Sequence, residues 1–187
     1  MNFYTSDTHF GHANIIKFDN RPFTDTKEME DKIVKNWNSV VSKNDTVYIL
    51  GDFCWSKDDE EWIRILDKLA GNKVLIKGNH DKKNMSKNLK NKFLDIKDYK
   101  EIKDEGRNVI LCHYPIILYK HSCDPNQYML CGHVHTTKEN DFLNKWKKDL
   151  RSARNTSSDN CGNIYNVGCM LYNYTPKTLN EIIKGDK

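Results

Sequence analysis

Five short apolar runs in this chain each end on a residue able to hold a metal ion or a proton. Asn2-Phe3-Tyr4-Thr5-Ser6 runs into Asp7-Thr8-His9, and Thr46-Val47-Tyr48-Ile49-Leu50 into Gly51-Asp52. Lys73-Val74-Leu75-Ile76-Lys77 leads to Gly78-Asn79-His80-Asp81, Val109-Ile110-Leu111-Cys112 to His113, and Tyr128-Met129-Leu130-Cys131 to Gly132-His133-Val134-His135. Runs of this length and β-rich composition read as strands. In open α/β sheets, ligands gather outside the carboxyl ends of the strands. Five such ends brought together supply Asp7, Asp52, Asn79 and the histidines 9, 80, 113, 133 and 135. That exceeds the needs of one tetrahedral zinc and suits two ions sharing a carboxylate. Each piece alone has a plainer reading. Gly-Asn is a turn pair, and a lone histidine at a strand end is commonly a satisfied polar residue.

The segments between the runs read as helices. Phe10 to Ile16 gives a turn and one short helix. Asp25 caps the next, with Glu28 at the reciprocal position, and Met29, Ile33, Trp37, Val40 and Val41 form its inward face. Asn44-Asp45 turns into the second strand. A further helix starts at Ser56, with acidic residues Asp58 to Glu61 in its first turn. Its stripe is Trp62, Ile65, Leu66 and Leu69, and Gly71 ends it. The first 80 residues therefore read β–α–β–α–β, which predicts a parallel or mixed sheet covered by helices. Residues 82 to 92 are rich in Lys and Asn and read as a loop or short exposed helix. Phe93 to Ile102 and Arg107 to Cys112 flank a hairpin turn at Lys103-Asp104-Glu105-Gly106. Tyr128 to Cys131 and Ile164 to Val167 are further strands, and Thr178 to Lys184 is a short terminal helix. No repeat or linker divides residues 1–187, so one domain is expected.

The ordered set Asp7-x-His9, Gly51-Asp52, Gly78-Asn79-His80-Asp81, His113 and Gly132-His133-x-His135 resembles the motifs of the calcineurin-like metallophosphoesterases. Ser6-Asp7-Thr8-His9-Phe10-Gly11-His12 and Arg21-Pro22-Phe23 look like a small, stand-alone bacterial and phage branch. The resemblance spans residues 7 to 135. It implies a four-layer α/β/β/α sandwich of two mixed sheets, with the metal site at the strand carboxyl ends. It also implies a dinuclear phosphoester hydrolase that uses a metal-bridging hydroxide as nucleophile. Carried over by position, one ion falls to Asp7, His9, Asp52 and His135, and the other to Asp52, Asn79, His113 and His133, with Asp52 bridging. His80 is left as a non-ligand that assists the leaving oxygen. His12 stands behind the ligands or at the substrate. Arg21 suits a phosphate or a salt bridge. His133-x-His135 on an extended chain would point both rings to one side. One departure stands in the tail, Asn166 to Pro176, where the family pattern leads us to expect an acidic residue near Met170.

Mn²⁺ is the favoured metal, with Fe, Zn²⁺ or Ni²⁺ as alternatives. The substrate expected is a small or nucleotide-like phosphodiester ahead of a monoester. A net charge of +4 accommodates phosphate without arguing for nucleic acid. A nuclease calls for a basic stripe with stacking aromatics, hinted at only in residues 138 to 154. A non-catalytic protein-binding scaffold of the same fold is the alternative of a different class, and it is disfavoured because His80 and every metal position are filled. No run approaches 18 apolar residues, so no membrane span is expected. The N-terminus has no basic-then-apolar signal pattern. Six cysteines without C-x-x-C spacing then point to a reducing cytoplasm. Cys112 and Cys131 lie beside the metal motifs but read as buried strand residues. Residues 138–162 are polar and basic, a surface insertion or a lid beside His135. Phe142, Trp146 and Leu150 space a short helix there.

Overall fold

The parallel pairing of the first strands sends their carboxyl ends to one side of the molecule. A computed structural model describes residues 1–153 and 162–185. The strands form two sheets of four, in the orders β1-β2-β3-β4 and β5-β6-β7-β8. In the first, β1 (Asn2–Thr5), β2 (Thr46–Ile49), β3 (Asn72–Ile76) and β4 (Asp95–Lys97) all pair in parallel. Parallel neighbours need crossovers. These are α1 (Ala13–Phe18) with α2 (Thr26–Val40), then α3 (Asp59–Lys68), then the short α4 (Lys87–Lys90). An antiparallel bridge, Tyr4 to Lys177, adds the tail beside β1. In the second sheet, β5 (Tyr99–Asp104) pairs antiparallel with β6 (Arg107–Cys112) through a tight turn. β7 (Gln127–Cys131) and β8 (Ile164–Asn166) then follow in parallel.

Side-chain alternation along the strands sorts the apolar residues into layers. Phe3, Val47, Ile49 and Leu75 share a core with Met29, Ile33 and Trp37 of α2 and with Trp62 and Ile65 of α3. Their neighbours Tyr4, Val74 and Ile76 turn the other way and pack with Val109, Leu111 and Leu130 of the second sheet. The remaining face of that sheet, Ile110, Met129, Cys131 and Ile164, packs with Leu143 and Trp146 of α5 (Lys138–Ala153). Helices, sheet, sheet and helix thus stack as α/β/β/α. The terminal helix α6 (Leu179–Lys184) starts on a Thr178–Glu181 capping box and adds Leu179 and Ile182 to the inter-sheet core. No helix among the described residues is long and apolar enough to cross a membrane.

Several local expectations change. The run Phe93 to Ile102 is two strands that change sheet at Asp98. Phe93 and Ile96 serve the helix-side core, while Ile102 serves the inter-sheet core. Asp58, not Ser56, caps α3, because its carboxylate accepts the Glu60 N–H while the Ser56 hydroxyl accepts that of Asp58. Glu28 takes the N–H and hydroxyl of Thr24 in place of the N–H of its own cap, Asp25. Val40 ends α2 on its exposed side and only Val41 is buried. On α5 the inward residue is Leu143, and Phe142 is 61% exposed. That helix is the outer layer of the second sheet, longer than the short helix expected. Residues 154–161, part of the expected insertion, lie outside the described residues.

One ion-pair group binds α2 to α3. The Glu30 carboxylate is buried and accepts from both Arg64 Nη atoms (2.7 and 2.6 Å) and from Lys68 Nζ (2.6 Å). Arg64, against the burial that opposes it and with Lys68 assisting, brings the Glu30 pKa down to about 2. A lowered carboxyl pKa adds stability that is present above the ordinary value of about 4.5 and is lost as pH falls toward 2. The cations are about two-fifths exposed, so solvent screening keeps the effect near 1 kcal/mol. Glu30→Gln is expected to lower the stability measured by urea unfolding by about 1 kcal/mol at pH 6. The difference from wild type should close as pH falls from 4.5 toward 2.

Candidate metal centre

Where the strands end, the backbone leaves ordinary conformations. Asp7, His9, Asp52, His133 and His135 have φ of 56°, 50°, 53°, 71° and 44°. These five are half of the ten non-glycine residues with positive φ among the described residues. Each such conformation costs on the order of 1 kcal/mol, and concentration of this strain marks functional sites. The loops also approach one another too closely for side chains. A Cβ on Gly78 would lie 2.2 Å from Asp52 Oδ1, and one on Gly132 would lie 2.7 Å from Asp7 Oδ2. Glycine at these two positions lets backbone pack directly against the two buried carboxylates.

Two groups of donor atoms result: Asp7, His9 and His135, and Asp7, Asp52 and His113, all within 4.8 Å of one another in each group. His135 Nε2 lies 3.4 Å from His9 Nε2 and 3.6 Å from Asp7 Oδ1. Asp52 Oδ2 lies 3.7 Å from His9 Nε2 and 3.6 Å from His113 Nε2. These separations are long for hydrogen bonds. Metal–ligand bonds of about 2.0–2.2 Å at tetrahedral or octahedral angles separate neighbouring donors by about 3.0–3.6 Å.

Tautomers point the same way. The His113 Nδ1–H donates to the Leu50 carbonyl at 2.8 Å. A neutral His113 then turns a lone pair at Nε2 toward the Asn79 Oδ1 acceptor, 3.0 Å away. His135 donates from Nδ1 to Asp19 at 2.8 Å, leaving its Nε2 lone pair facing His9 and Asp7. Acceptors converging on acceptors in a buried space fit divalent cations between them.

The electrostatics match that chemistry. Burial is the first cause that raises the Asp7 carboxyl above its usual range, against the pull of His135 and His113. A nearby cation reverses that balance. Burial, with His135 adding to it, pushes His9 down to about 2, so its imidazole stays in the neutral, ligating form. His133 is lowered by burial and then by His113. His135 runs the other way: burial opposes, but Asp19 and Asp7 raise it, so an ion at its Nε2 would have to displace a proton.

Three supporting residues hold these groups. Asp19 was not singled out from the sequence. It bridges His135 Nδ1 and the Arg21 guanidinium (2.8 Å each), a carboxylate–histidine arrangement that sets the ring's orientation. Arg21 is fully buried and also donates to the carbonyls of Asp7 (2.8 Å) and Thr8 (3.0 Å). It braces the first loop from below. The Gly78-Asn79-His80-Asp81 motif does not by itself assign Asp81 a role. Asp81 accepts the N–H groups of Asp52, Phe53 and Gly78 at 3.0, 2.9 and 2.8 Å, tying two strand-end loops together. Burial lifts its carboxyl to about 6 against those donors. The signal for both carboxylates was short-range: Asp19 stands two residues before Arg21, and Asp81 closes the Gly78-Asn79-His80 string.

The other named residues fall as follows. His12 caps α1, its Nδ1 accepting the Ile15 N–H at 2.9 Å. His133 and His135 do not lie on an extended strand. Both are left-handed, because the His133 N–H is held by the Asp7 carboxylate and the chain turns at Gly132. His135 therefore joins His9, while His133 packs against His113, ring centroids 5.1 Å apart. His80 is exposed, with its N–H on Asp52 Oδ1 at 2.9 Å. Burial raises both thiols of Cys112 and Cys131, and Cys131 packs in the outer core. Near Met170 the chain makes a one-turn helix, Cys169–Tyr172, and Cys169 Sγ bonds to the Asp7 carbonyl at 3.3 Å.

Comparison with known proteins agrees with this geometry. The family model described as calcineurin-like phosphoesterase matches residues 3–166. An uncharacterized protein of Methanocaldococcus jannaschii is 36% identical over 182 residues, covering 96% of this chain and 87% of its own. The gene 66 protein of Mycobacterium phage L5 is 41% identical over 81 residues, 42% of this chain and 38% of its own. A crystal structure of a protein of unknown function from Aquifex aeolicus superposes with a TM-score of 0.70 at 31% identity, covering 98% of both chains.

A divalent ion at one hundred times its Kd should stabilise the chelated protein by about 2.7 kcal/mol, raising Tm by roughly 5–10 °C. Asp19→Asn should weaken metal binding by about 10- to 100-fold in a Mn²⁺ titration, since it loosens His135. Gly78→Ala should abolish the metal-dependent rise in Tm by displacing Asp52.

Proposed function

The chain belongs to the calcineurin-like phosphoesterase family, a family of metal-dependent phosphoesterases, and on that premise we propose that it hydrolyses phosphodiesters at a dinuclear centre, with Mn²⁺ the favoured metal. The observation that carries this reading is Asp52 Oδ2, placed 3.7 and 3.6 Å from the Nε2 atoms of two histidines in different donor groups. One ion is assigned to Asp7, His9, Asp52 and His135, the other to Asp52, Asn79, His113 and His133. Asp7 stands in both donor groups. Its Oδ2, however, already accepts the Ser6 hydroxyl (2.6 Å) and the His133 N–H (3.1 Å). On Asp52 the His80 N–H takes only Oδ1, and its Oδ2 faces one histidine of each group, which favours Asp52 as the shared carboxylate. Two bound divalent ions supply an acidic water and a clamp on the phosphoryl oxygens.

The chain's own residues do the rest. Asn79 adds an oxygen without charge, which keeps the centre net positive for an anionic ester. The parallel strand ends and their buried carboxylates fix the donors before substrate arrives. His80 is held by its backbone at Asp52 while its ring stays in solvent, a position from which it can protonate a departing alkoxide. We read residues 1–187 as one catalytic unit. A cytoplasmic location is part of the same proposal, supported by the unbridged thiols of Cys54, Cys112, Cys123, Cys131 and Cys169. On α5, Lys147 is withdrawn from any basic stripe, buried with its Nζ 4.1 Å from the Tyr165 ring centroid, whereas Lys145 and Lys148 stay exposed.

The test is cleavage of bis-p-nitrophenyl phosphate and p-nitrophenyl phosphate after chelation and return of Mn²⁺. Diester cleavage should return with the metal. His80→Ala should lower kcat by about 10²- to 10⁴-fold while metal binding persists, whereas Asn79→Ala should lose both. Preference for the monoester would make the protein a phosphatase. No bound metal and no turnover of either ester would favour the protein-binding scaffold instead, whereas two bound ions without turnover would point to a different ester as substrate.

A further inference from the structure

Two large aromatic side chains stand exposed beside the centre. Trp55 keeps 45% and Tyr114 47% of full accessibility. Single exposed aromatics are ordinary on protein surfaces, but these two are fixed against the site's histidines. The Trp55 ring packs edge-to-face on His12 at 3.9 Å and lies 4.9 Å from His80 and 6.5 Å from His9. His12 cannot swing away, because its Nδ1 accepts the Ile15 N–H. The Trp55 backbone N–H is tied to the Phe10 carbonyl at 2.9 Å. Tyr114 lies 4.7 Å from His133 and 5.2 Å from His113. One ring thus adjoins the histidine of the first donor group and the other that of the second.

We propose that Trp55 and Tyr114 are aromatic walls of the substrate site, and that the substrate is an aromatic phosphoester, a nucleotide or another aryl ester. The proposal rests on the phosphoesterase reading and names the group carried on its phosphorus. Each histidine set thus has one half-exposed aromatic ring beside it. Exposing that apolar surface to water is unfavourable unless a planar group covers it, and stacking is the interaction a planar group makes there. His12 is accounted for as the buttress of Trp55. Stacking on one aromatic side chain strengthens binding by roughly fivefold to a hundredfold.

The experiment compares three phosphates by calorimetry on the Mn²⁺-loaded protein: AMP, phenyl phosphate and ribose 5-phosphate. AMP and phenyl phosphate are expected to bind roughly ten- to a hundredfold tighter than ribose 5-phosphate. Trp55→Ala should reduce that preference at least fivefold, Tyr114→Ala should reduce it too, and Trp55→Phe should keep most of it. Trp55 fluorescence gives a second signal, read as the ligand-dependent change that Trp55→Phe removes, because Trp37 and Trp62 are fully buried and Trp146 packs on the outer face of the second sheet. AMP ahead of phenyl phosphate would identify a nucleobase site, and parity a general aryl site. Equal binding of all three in wild type, or a preference that survives the double alanine variant, overturns the proposal. Ring preference without any ester turnover would support the walls and sink the hydrolase reading. Turnover without ring preference would do the reverse, and failure of all three monoesters to bind would overturn the aromatic walls while leaving the diesterase reading to the bis-p-nitrophenyl phosphate assay.

Discussion

Two carboxylates taken out of water organise this molecule. Asp7 is wholly buried and Asp52 nearly so. A buried charge is tolerated only when paired and hydrogen-bonded. The chain surrounds them accordingly. Ser6 and the His133 N–H bond to Asp7, and the His80 N–H bonds to Asp52. Histidines 9, 113 and 135 face them across gaps sized for cations more than for hydrogen bonds. The nearby guanidinium of Arg21 is engaged by Asp19 and by backbone carbonyls, not by these two carboxylates. That makes divalent ions part of the centre's stability as well as its chemistry.

The fold serves this constraint from below. Parallel strands in the first sheet deliver three loops to the same edge, and β6 and β7 deliver two more from the second sheet. The inter-sheet core of Tyr4, Leu50, Val74, Val109 and Leu130 sets how closely those ends approach. Asp81 then cross-links two loops through backbone N–H groups, and Arg21 braces the first through backbone carbonyls. Both are buried polar devices, fully partnered, and rigidity of this kind lets strained φ values persist.

Outside that rigid floor the site opens. His80, Trp55 and Tyr114 are exposed, and so is Asn79, whose Oδ1 lies 3.0 Å from His113 Nε2, whereas Asp7, Asp52, His9 and His113 are buried. The division is physical. Donor atoms need low dielectric and fixed geometry, whereas a proton donor to a leaving group and a stacking face need access to the ligand.

What the sequence determined by itself was the local chemistry: which runs are strands, that each ends on a donor, and that helices alternate with the first three. Those follow from periodicity, capping residues and glycine placement, which act over a few residues. The resemblance of the five motifs supplied the four-layer stacking, which the three separate cores then realised. Tertiary structure alone decided the rest. Asp19 reaches His135 across 116 residues. Asp81 reaches back 29 residues to Asp52. Arg21 turned inward because two carbonyls and a carboxylate awaited it. His133 and His135, which the resemblance gave to different ions, reach their neighbourhoods through left-handed residues and not along a strand, with the His133 N–H held by the distant Asp7 carboxylate. Periodicity reports which way a side chain faces along its own element. It carries no information on which distant polar group will complete a buried hydrogen bond, and at this centre those bonds decide the geometry.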